Sequence, residues 1–408
     1  MERAQTTPGF LTTTFTVNEA AGTLTTTNPA GATTMKVFNN FGQLVSTFDG
    51  NNREIDNIYD KWGRLIADAD IQNILHDYYR DAASRIIRTS RYVTATTSSN
   101  TDYYYDNRNL VTQKVDDTGA TTTMAYDARG LMTSMVEPVT STTTLTTTLG
   151  YDASGNNTRR TNPAGAASWY TYNTWQKPES TIEPSTTSYP NPVDRTYTTS
   201  YTADRDIANE LEPGNITRAY TYLTGQQLGT ITSKLGATTS AAITYTRDLI
   251  GRQTKAVSGT STIVTGYNDR DLPTQVTNGT TITNYTYDNA SRLATRADQA
   301  GTTSFTYDNA DHLKTLADPL TGLTATYNYD TKGRLGTTTT GPSTRTYTYD
   351  VADRVVTDTT STTTGPQLST TNAWNNLDQL TQRTTGPASV PGAGIETFAY
   401  DQVARLTS

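Results

Sequence analysis

Between Thr344 and Tyr349 the chain reads TRTYTY, and aromatic residues recur at every second position at Tyr285/Tyr287, Phe305/Tyr307, Tyr327/Tyr329, Tyr103/Tyr105 and Tyr220/Tyr222. A period of two is that of a β-strand, whose successive side chains point to opposite faces. Here Tyr347 and Tyr349 share one face while Thr346 and Thr348 share the other. Both residue types favour strands, so the pattern predicts ribbons with one aromatic face that packs and one hydroxyl face that tolerates water.

Each ribbon ends in the same way. A Tyr-Asp pair, a short turn, a basic residue and an apolar one appear as "YDKWGRL" at Tyr59, "YDNASRL" at Tyr287, "YDTKGRL" at Tyr329, "YDVADRV" at Tyr349 and "YDQVARL" at Tyr400. The repeat anchors are Tyr59, Asp60 and Gly63; Tyr126, Asp127 and Gly130; Tyr151 and Asp152; Tyr287 and Asp288; Tyr307 and Asp308; Tyr329, Asp330 and Gly333; Tyr349 and Asp350; and Tyr400 and Asp401. Looser copies sit at Phe38, Arg80, Tyr105, Tyr172, Tyr222, Arg247, Tyr267 and Trp374, with weaker ones near Val17 and Tyr201. That makes about eighteen units spaced roughly 20 to 29 residues apart, within the range of solenoid-like arrays.

The aspartate opens the turn, because its carboxylate can accept hydrogen bonds from backbone amides two residues on. Four residues past the anchor come Gly42, Gly63, Gly130, Gly155, Gly251 and Gly333, or Asp311, Asp353, Asp378, Asn109 and Ser291. These are the residue types that accept a left-handed backbone. A leucine then begins the return strand at Leu44, Leu65, Leu228, Leu293, Leu313, Leu335, Leu380 or Leu406, so each unit is a hairpin.

One hairpin cannot bury an aromatic face alone, and stacking hairpins edge to edge supplies the partner. About thirty-six strands are far more than an open twisted sheet tolerates. The expected fold is therefore all-β, an antiparallel β-hairpin array wound into a spiral, hollow shell or tube, with residues 1–408 as a single continuous domain. Thr-rich "EPVTSTTTLTTT" from Glu137 and "DTTSTTTGPQLSTT" from Asp358 read as longer hairpin tips, and Pro-rich Glu183 to Asp194 as a protruding loop. The segment "FLTTTFTV" from Phe10 reads as a first strand, and the chain stops as a return strand begins after Tyr400. Both ends should then present unpaired sheet edges.

Composition narrows the chemistry. Roughly a fifth of the residues are threonine, and 26 tyrosines stand against 7 phenylalanines, so any core is thin and aromatic. With 32 basic and 39 acidic side chains there is no electrostatic footprint for nucleic acid, and no apolar run is long enough for membrane insertion. Cysteine is absent, which excludes disulfides and thiolate metal sites. "MERAQTTPGF" has no apolar signal stretch, so export would follow trimming or another route.

No catalytic, cofactor-binding or metal constellation emerges. His76 and His312 fall in different repeats and read as surface or turn residues. Carboxylates that recur once per hairpin, as at Asp60, Asp288, Asp330 and Asp350, read as turn caps rather than acid–base pairs or calcium ligands. Arg64, Arg252 and Arg334 are expected to pair with acidic neighbours in the next hairpin. Trp62, Trp169, Trp175 and Trp374 could serve as sugar platforms, but aromatics are already required by the sheet. Sequons at Asn156, Asn215, Asn278, Asn284 and Asn289 mark surface positions at most.

"YDKWGRL", "YDARGLM", "YDASGNNTR", "YDTKGRL" and the "NPAG" segments at Asn28 and Asn162 resemble the YD repeat of the Rhs family, which also occurs in insecticidal toxin complexes and teneurins. The resemblance implies a long sheet wound into a hollow shell that encloses a toxic C-terminal domain or forms part of a cell-surface protein. "ADPLTGL" at Ala317 is the nearest approach to the family's Asp-Pro plug signature, and it lies inside an ordinary repeat without the surrounding aromatic run. Neither a core-closing segment nor an effector follows "YDQVARLTS". The expectation is therefore a non-catalytic structural protein, extracellular or at the cell surface, whose copies join head to tail into a filament or tube. The alternatives are a shell fragment around an enclosed effector and an adhesive or glycan-binding module.

Overall fold

The computed structural model describes residues 2–7, 11–70, 74–94 and 96–408. Within them lie thirty-seven strands, a single 3-10 turn at Pro192–Arg195 and no α-helix. Strand follows strand in antiparallel pairing, as in Ser343–Tyr349 with Val355–Thr362 and Val355–Thr362 with Gly365–Trp374. The short Thr238–Thr239 departs from this succession, since Gln227–Leu235 also pairs past it with Ile243–Arg247. The all-β hairpin array expected from the period-two pattern is thus the fold.

The chain divides into two compact units. One comprises Met1–Tyr104, Lys114–Thr121 and Thr283–Ser408; the other comprises Tyr105–Gln113 and Thr122–Ile282. In the second unit, hairpins such as Thr144–Tyr151 with Asn157–Thr161 follow one another, and the Pro-rich segment leaves the sheet between Pro178–Ile182 and Thr196–Tyr201 as an exposed loop. In the first unit, the hairpins of the N-terminal segment and those after Thr283 belong to one body although more than two hundred residues separate them along the chain.

Alternation holds in three dimensions. Along Ser343–Tyr349, Tyr347 and Tyr349 are half-buried and Thr348 is exposed. Little is fully enclosed: Ala32, Ala67, Val93 and Ala120 are the buried apolar residues among those described. Stability therefore comes from ladder hydrogen bonds and many half-buried contacts rather than from a thick core. On the hydroxyl face, threonines meet across the hairpin, with Oγ1 atoms 2.6 Å apart for Thr286 and Thr295, Thr306 and Thr315, and Thr348 and Thr357.

Tyr-Asp strands end in a bulge. Tyr349 pairs with Val355 while Thr348 pairs with Thr357, so Val356 is passed over. The same shift precedes Tyr59, Tyr126, Tyr151, Tyr287, Tyr307 and Tyr329. A bulge bends its strand and raises local twist, and here it recurs once per repeat.

The first edge differs from expectation. Phe10 lies outside the described residues, and Leu11–Asn18 is not the border, because Glu2–Thr7 pairs with it from Thr7↔Leu11 to Glu2↔Thr16. The "ERAQTT" stretch has no apolar alternation to announce a strand, yet its backbone completes the ladder of the next one.

Candidate functional site

The repeated turn is a dense polar cluster, and Asp330 shows its construction. Its Oδ1 accepts the amides of Lys332 and Arg334, each at 2.9 Å, and Oδ2 accepts Arg334 Nε at 2.7 Å. The backbone closes beneath it, with Asp330 N–H donating to the Arg334 carbonyl and Gly333 N–H to the Asp330 carbonyl. Gly333 has φ +76°, the left-handed conformation that the turn requires. The amide four residues on donates to Oδ1 in the same way at Asp60, Asp127, Asp152, Asp288, Asp308, Asp350 and Asp401. All the non-glycine residues expected in this conformation, Asn109, Ser291, Asp311, Asp353 and Asp378, have positive φ, as do Ser84, a serine like Ser291 that the reading passed over, and Gln176, Arg205 and Ala404, whose residue types carried no such signal.

Arginine grips two hairpins. Arg334 first pairs with its own Asp330 at 2.6 Å, a partner that the reading of next-hairpin pairs missed. Its Nη1 then reaches the Asp350 carbonyl at 3.1 Å and Asp353 Oδ1 at 2.6 Å in the following turn, and its guanidinium lies 4.5 Å from the centre of the Tyr349 ring. Arg252 repeats this with Asp248, Asp271 and Tyr267. Arg64 pairs with Asp60, but its forward contact is Ser84 Oγ rather than an acid.

The anchor aromatic carries a further task. Tyr349 donates its hydroxyl to the Leu335 carbonyl at 2.8 Å, the first residue of the previous return strand. Tyr59, Tyr126, Tyr151, Tyr307, Tyr329 and Tyr400 do the same to Leu44, Val111, Met132, Leu293, Leu313 and Leu380. Strands diverge at this end of the hairpin, and the hydroxyl replaces a ladder bond that the backbone no longer reaches. Trp374 supplies Nε1 to Val355 at 3.0 Å, and Arg80 and Arg247 aim guanidinium nitrogens at Leu65 and Leu228 at 3.4 Å. Arg80, Arg247 and Trp374 thus keep the donor of the tyrosine anchors while Phe38 keeps only the ring, and the shared donor role favours tyrosine over phenylalanine at this position.

Electrostatics follow from the hydrogen bonds. The Leu131 amide, then Arg129, holds the Asp127 carboxyl below its usual range against the opposing effect of burial. The Arg85 guanidinium does likewise for Asp81. Burial raises the hydroxyl pKa of Tyr126, Tyr287, Tyr307, Tyr329 and Tyr349, and burial with the Glu210 carboxylate pushes Tyr220 up to about 12.

The remaining candidates do not converge. His312 takes the arginine position of its turn, with Nδ1 3.1 Å from Asp308 Oδ2, and stacks on Tyr329 at 4.5 Å. His76 sits on a strand, 2.9 Å from Asp68 Oδ2. Among the described residues, no group of three or more His, Asp or Glu side chains is arranged to hold a metal ion. Trp374 is an anchor and Trp169 a strand residue under Arg159, whereas Trp62 and Trp175 stand at turn tips. Phe41, Gln43, Lys61 and Trp62 border an open cleft of about 570 Å³ between two adjacent turns. Asn156 is engaged by Asp152 within its turn. Among the described residues, no helix is long and apolar enough to cross a membrane.

Within the first unit a second cluster joins distant repeats. Asn51 Nδ2 donates to Asp308 Oδ2 at 2.9 Å across 257 positions, and Asn376 Nδ2 to Asp117 Oδ2 at 3.1 Å across 259. Arg91 pairs with Asp378 at 2.6 Å. Lys332 Nζ lies 2.5 Å from Asp70 Oδ2 with both side chains buried, an ion contact rather than an aligned hydrogen bond. Gly50 packs so closely on the Asn309 carbonyl that a Cβ would lie 1.8 Å from its oxygen. In each case the far end of an N-terminal hairpin meets a Tyr-Asp-type turn of a later one. This is a seam within the first unit between hairpins far apart in the chain, and no local sequence signal announces it.

A family model described as RHS Repeat matches residues 105–142. No curated protein matches the chain by sequence. Among solved structures, TcdB2-TccC3 without its hypervariable C-terminal region is similar with a TM-score of 0.70 at 12% identity, over 96% of this chain and 26% of that one. Another TcdB2-TccC3 structure gives 0.67 at 13%, over 97% and 25%. A Tc holotoxin pore from Photorhabdus luminescens gives 0.66 at 13%, over 96% and 24%. The chain spans about a quarter of the length of these structures, and at such identities the likeness is one of fold.

Proposed function

Since the chain belongs to the Rhs/YD-repeat family, we propose that it is a non-catalytic scaffold, a length of wound β-wall that shelters another polypeptide. The seam of the first unit carries this reading. Its contacts, from Asn51–Asp308 to the buried Lys332–Asp70 pair, close the gap between one row of hairpin tips and the next, as a wall requires. The partner is an effector chain, enclosed rather than bound at a pocket, and the setting is extracellular or at the cell surface. We take residues 1–408 as one continuous repeat domain whose anchors are structural.

A test polypeptide fused after Ser408 should resist protease that digests it when free, and negative-stain images should show isolated hollow particles. Digestion at the unfused rate would overturn the reading. A second reading has copies joined head to tail into a filament or tube, and exposed apolar turn tips favour it. Long tubes of uniform width in the same images would select it.

A further inference from the structure

The seam supplies an internal rule for which surfaces need cover. On one side stand far-end turns, such as Asp49–Arg53; on the other stand Tyr-Asp-type turns, such as Asp308–His312. At Asp330 the residue two positions on, Lys332, makes the contact, and at Asp308 the backbone of Asn309 and Ala310 lies against Gly50. In seam turns the residue two positions after the turn acid or amide is Ala310, half-buried, Lys332, 8% exposed, or Leu377, half-buried. The equivalent residues of two earlier turns of this type, at Asn39 and Asp60, are Phe41 at 89% exposure and Trp62 at 68%. Large aromatics thus stand where the same fold elsewhere places a covered residue.

The complementary face is on the same unit. The far-end turn at Asp318 occupies the position in its repeat that Asp49–Arg53 occupies in an earlier one, and it presents Leu320 at 76% exposure. Asp318 stands beside Leu320 as Lys61 stands beside Trp62, the same pairing of charges that Asp70 and Lys332 make in the seam.

We propose that the rim of turn tips bearing Phe41 and Trp62 binds the rim bearing Leu320 on a second copy of the chain. The contact repeats the seam between molecules. It joins unlike surfaces, so it is heterologous and propagates head to tail unless the rotation closes a ring. A specific interface needs about 800 Å² from each partner, which calls for a row of turns rather than one pair of side chains. The inference rests on the second reading above, that copies associate.

Analytical ultracentrifugation of the full chain tests it. The wild type should sediment faster as concentration rises, and the double variant Phe41→Asp/Trp62→Asp and the single variant Leu320→Asp should each lose that dependence while keeping the wild-type circular dichroism spectrum. Mixed together, the two variants retain one sound interface and should form a one-to-one dimer that grows no further. If Leu320→Asp still associates like the wild type, the rim-to-rim contact is wrong although copies associate, as when sheet edges pair instead. If the wild type stays monomeric at all concentrations, association itself fails.

Discussion

At Tyr349 the ring and the hydroxyl do separate work: the ring receives Arg334, and the hydroxyl satisfies the Leu335 carbonyl. Tyr349→Phe keeps the first and loses the second, so it should lower stability by about 0.5–1.5 kcal/mol, the usual net worth of one hydrogen bond. Urea unfolding checks this. Charge gives a second expectation. The carboxyls of Asp81 and Asp127 are held below their unfolded range by Arg85 and by the Leu131 amide. A depressed pKa contributes stability that is complete above the unfolded value of about 3.9 and lost as pH falls through the folded one. The tyrosine hydroxyls shift the opposite way, through burial, at Tyr307, Tyr329 and Tyr349. Their contribution is complete below about pH 10 and lost as pH rises through the folded values. The unfolding midpoint should therefore fall at both extremes, with a plateau between, and a midpoint insensitive to acid below pH 4 would contradict the turn network.

At the scale of the hairpin, the left-handed position governs. Gln176 adopts φ 60° with its side chain exposed, a conformation that costs a residue with a Cβ roughly 1 kcal/mol. Gln176→Gly should raise the thermal midpoint, and a fall would mean that the greater freedom of glycine in the unfolded chain outweighs the relief. This position was legible at Gly63, Gly333, Asp311 and Asp353, because their residue types announce it. It was hidden at Gln176 and Ala404, where the closed turn imposes the conformation on residues with no preference for it. The donor role of the anchor was likewise hidden, since a period-two pattern shows which face tyrosine occupies and not where its hydroxyl ends. Arg80, Arg247 and Trp374 held the clue: they break the aromatic pattern but keep a donor. The strand Glu2–Thr7 escaped because pairing with a neighbour, rather than its own pattern, makes it a strand.

For the molecule as a whole, hairpin and repeat could be read from local spacing, but the seam could not, because its partners stand about 260 positions apart and share no motif. Lys332→Met leaves the buried Asp70 without its cation, a change that typically costs about 3–5 kcal/mol. The expected result is a lower urea midpoint, with faster amide exchange around both Asp70 and Lys332. Added salt should leave the wild-type pair largely unaffected, since burial limits screening. Gly50→Ala should loosen the same region, as its new methyl would collide with the Asn309 carbonyl. The forward reach of arginine has a temporal meaning as well. Arg334 waits for Asp350 and Asp353, which leave the ribosome after it, so a hairpin that carries such an arginine offers a ready grip to its successor. Growth of the array then has a direction built into it, from first-made to last-made, because the grip is always the earlier residue and its target the later one.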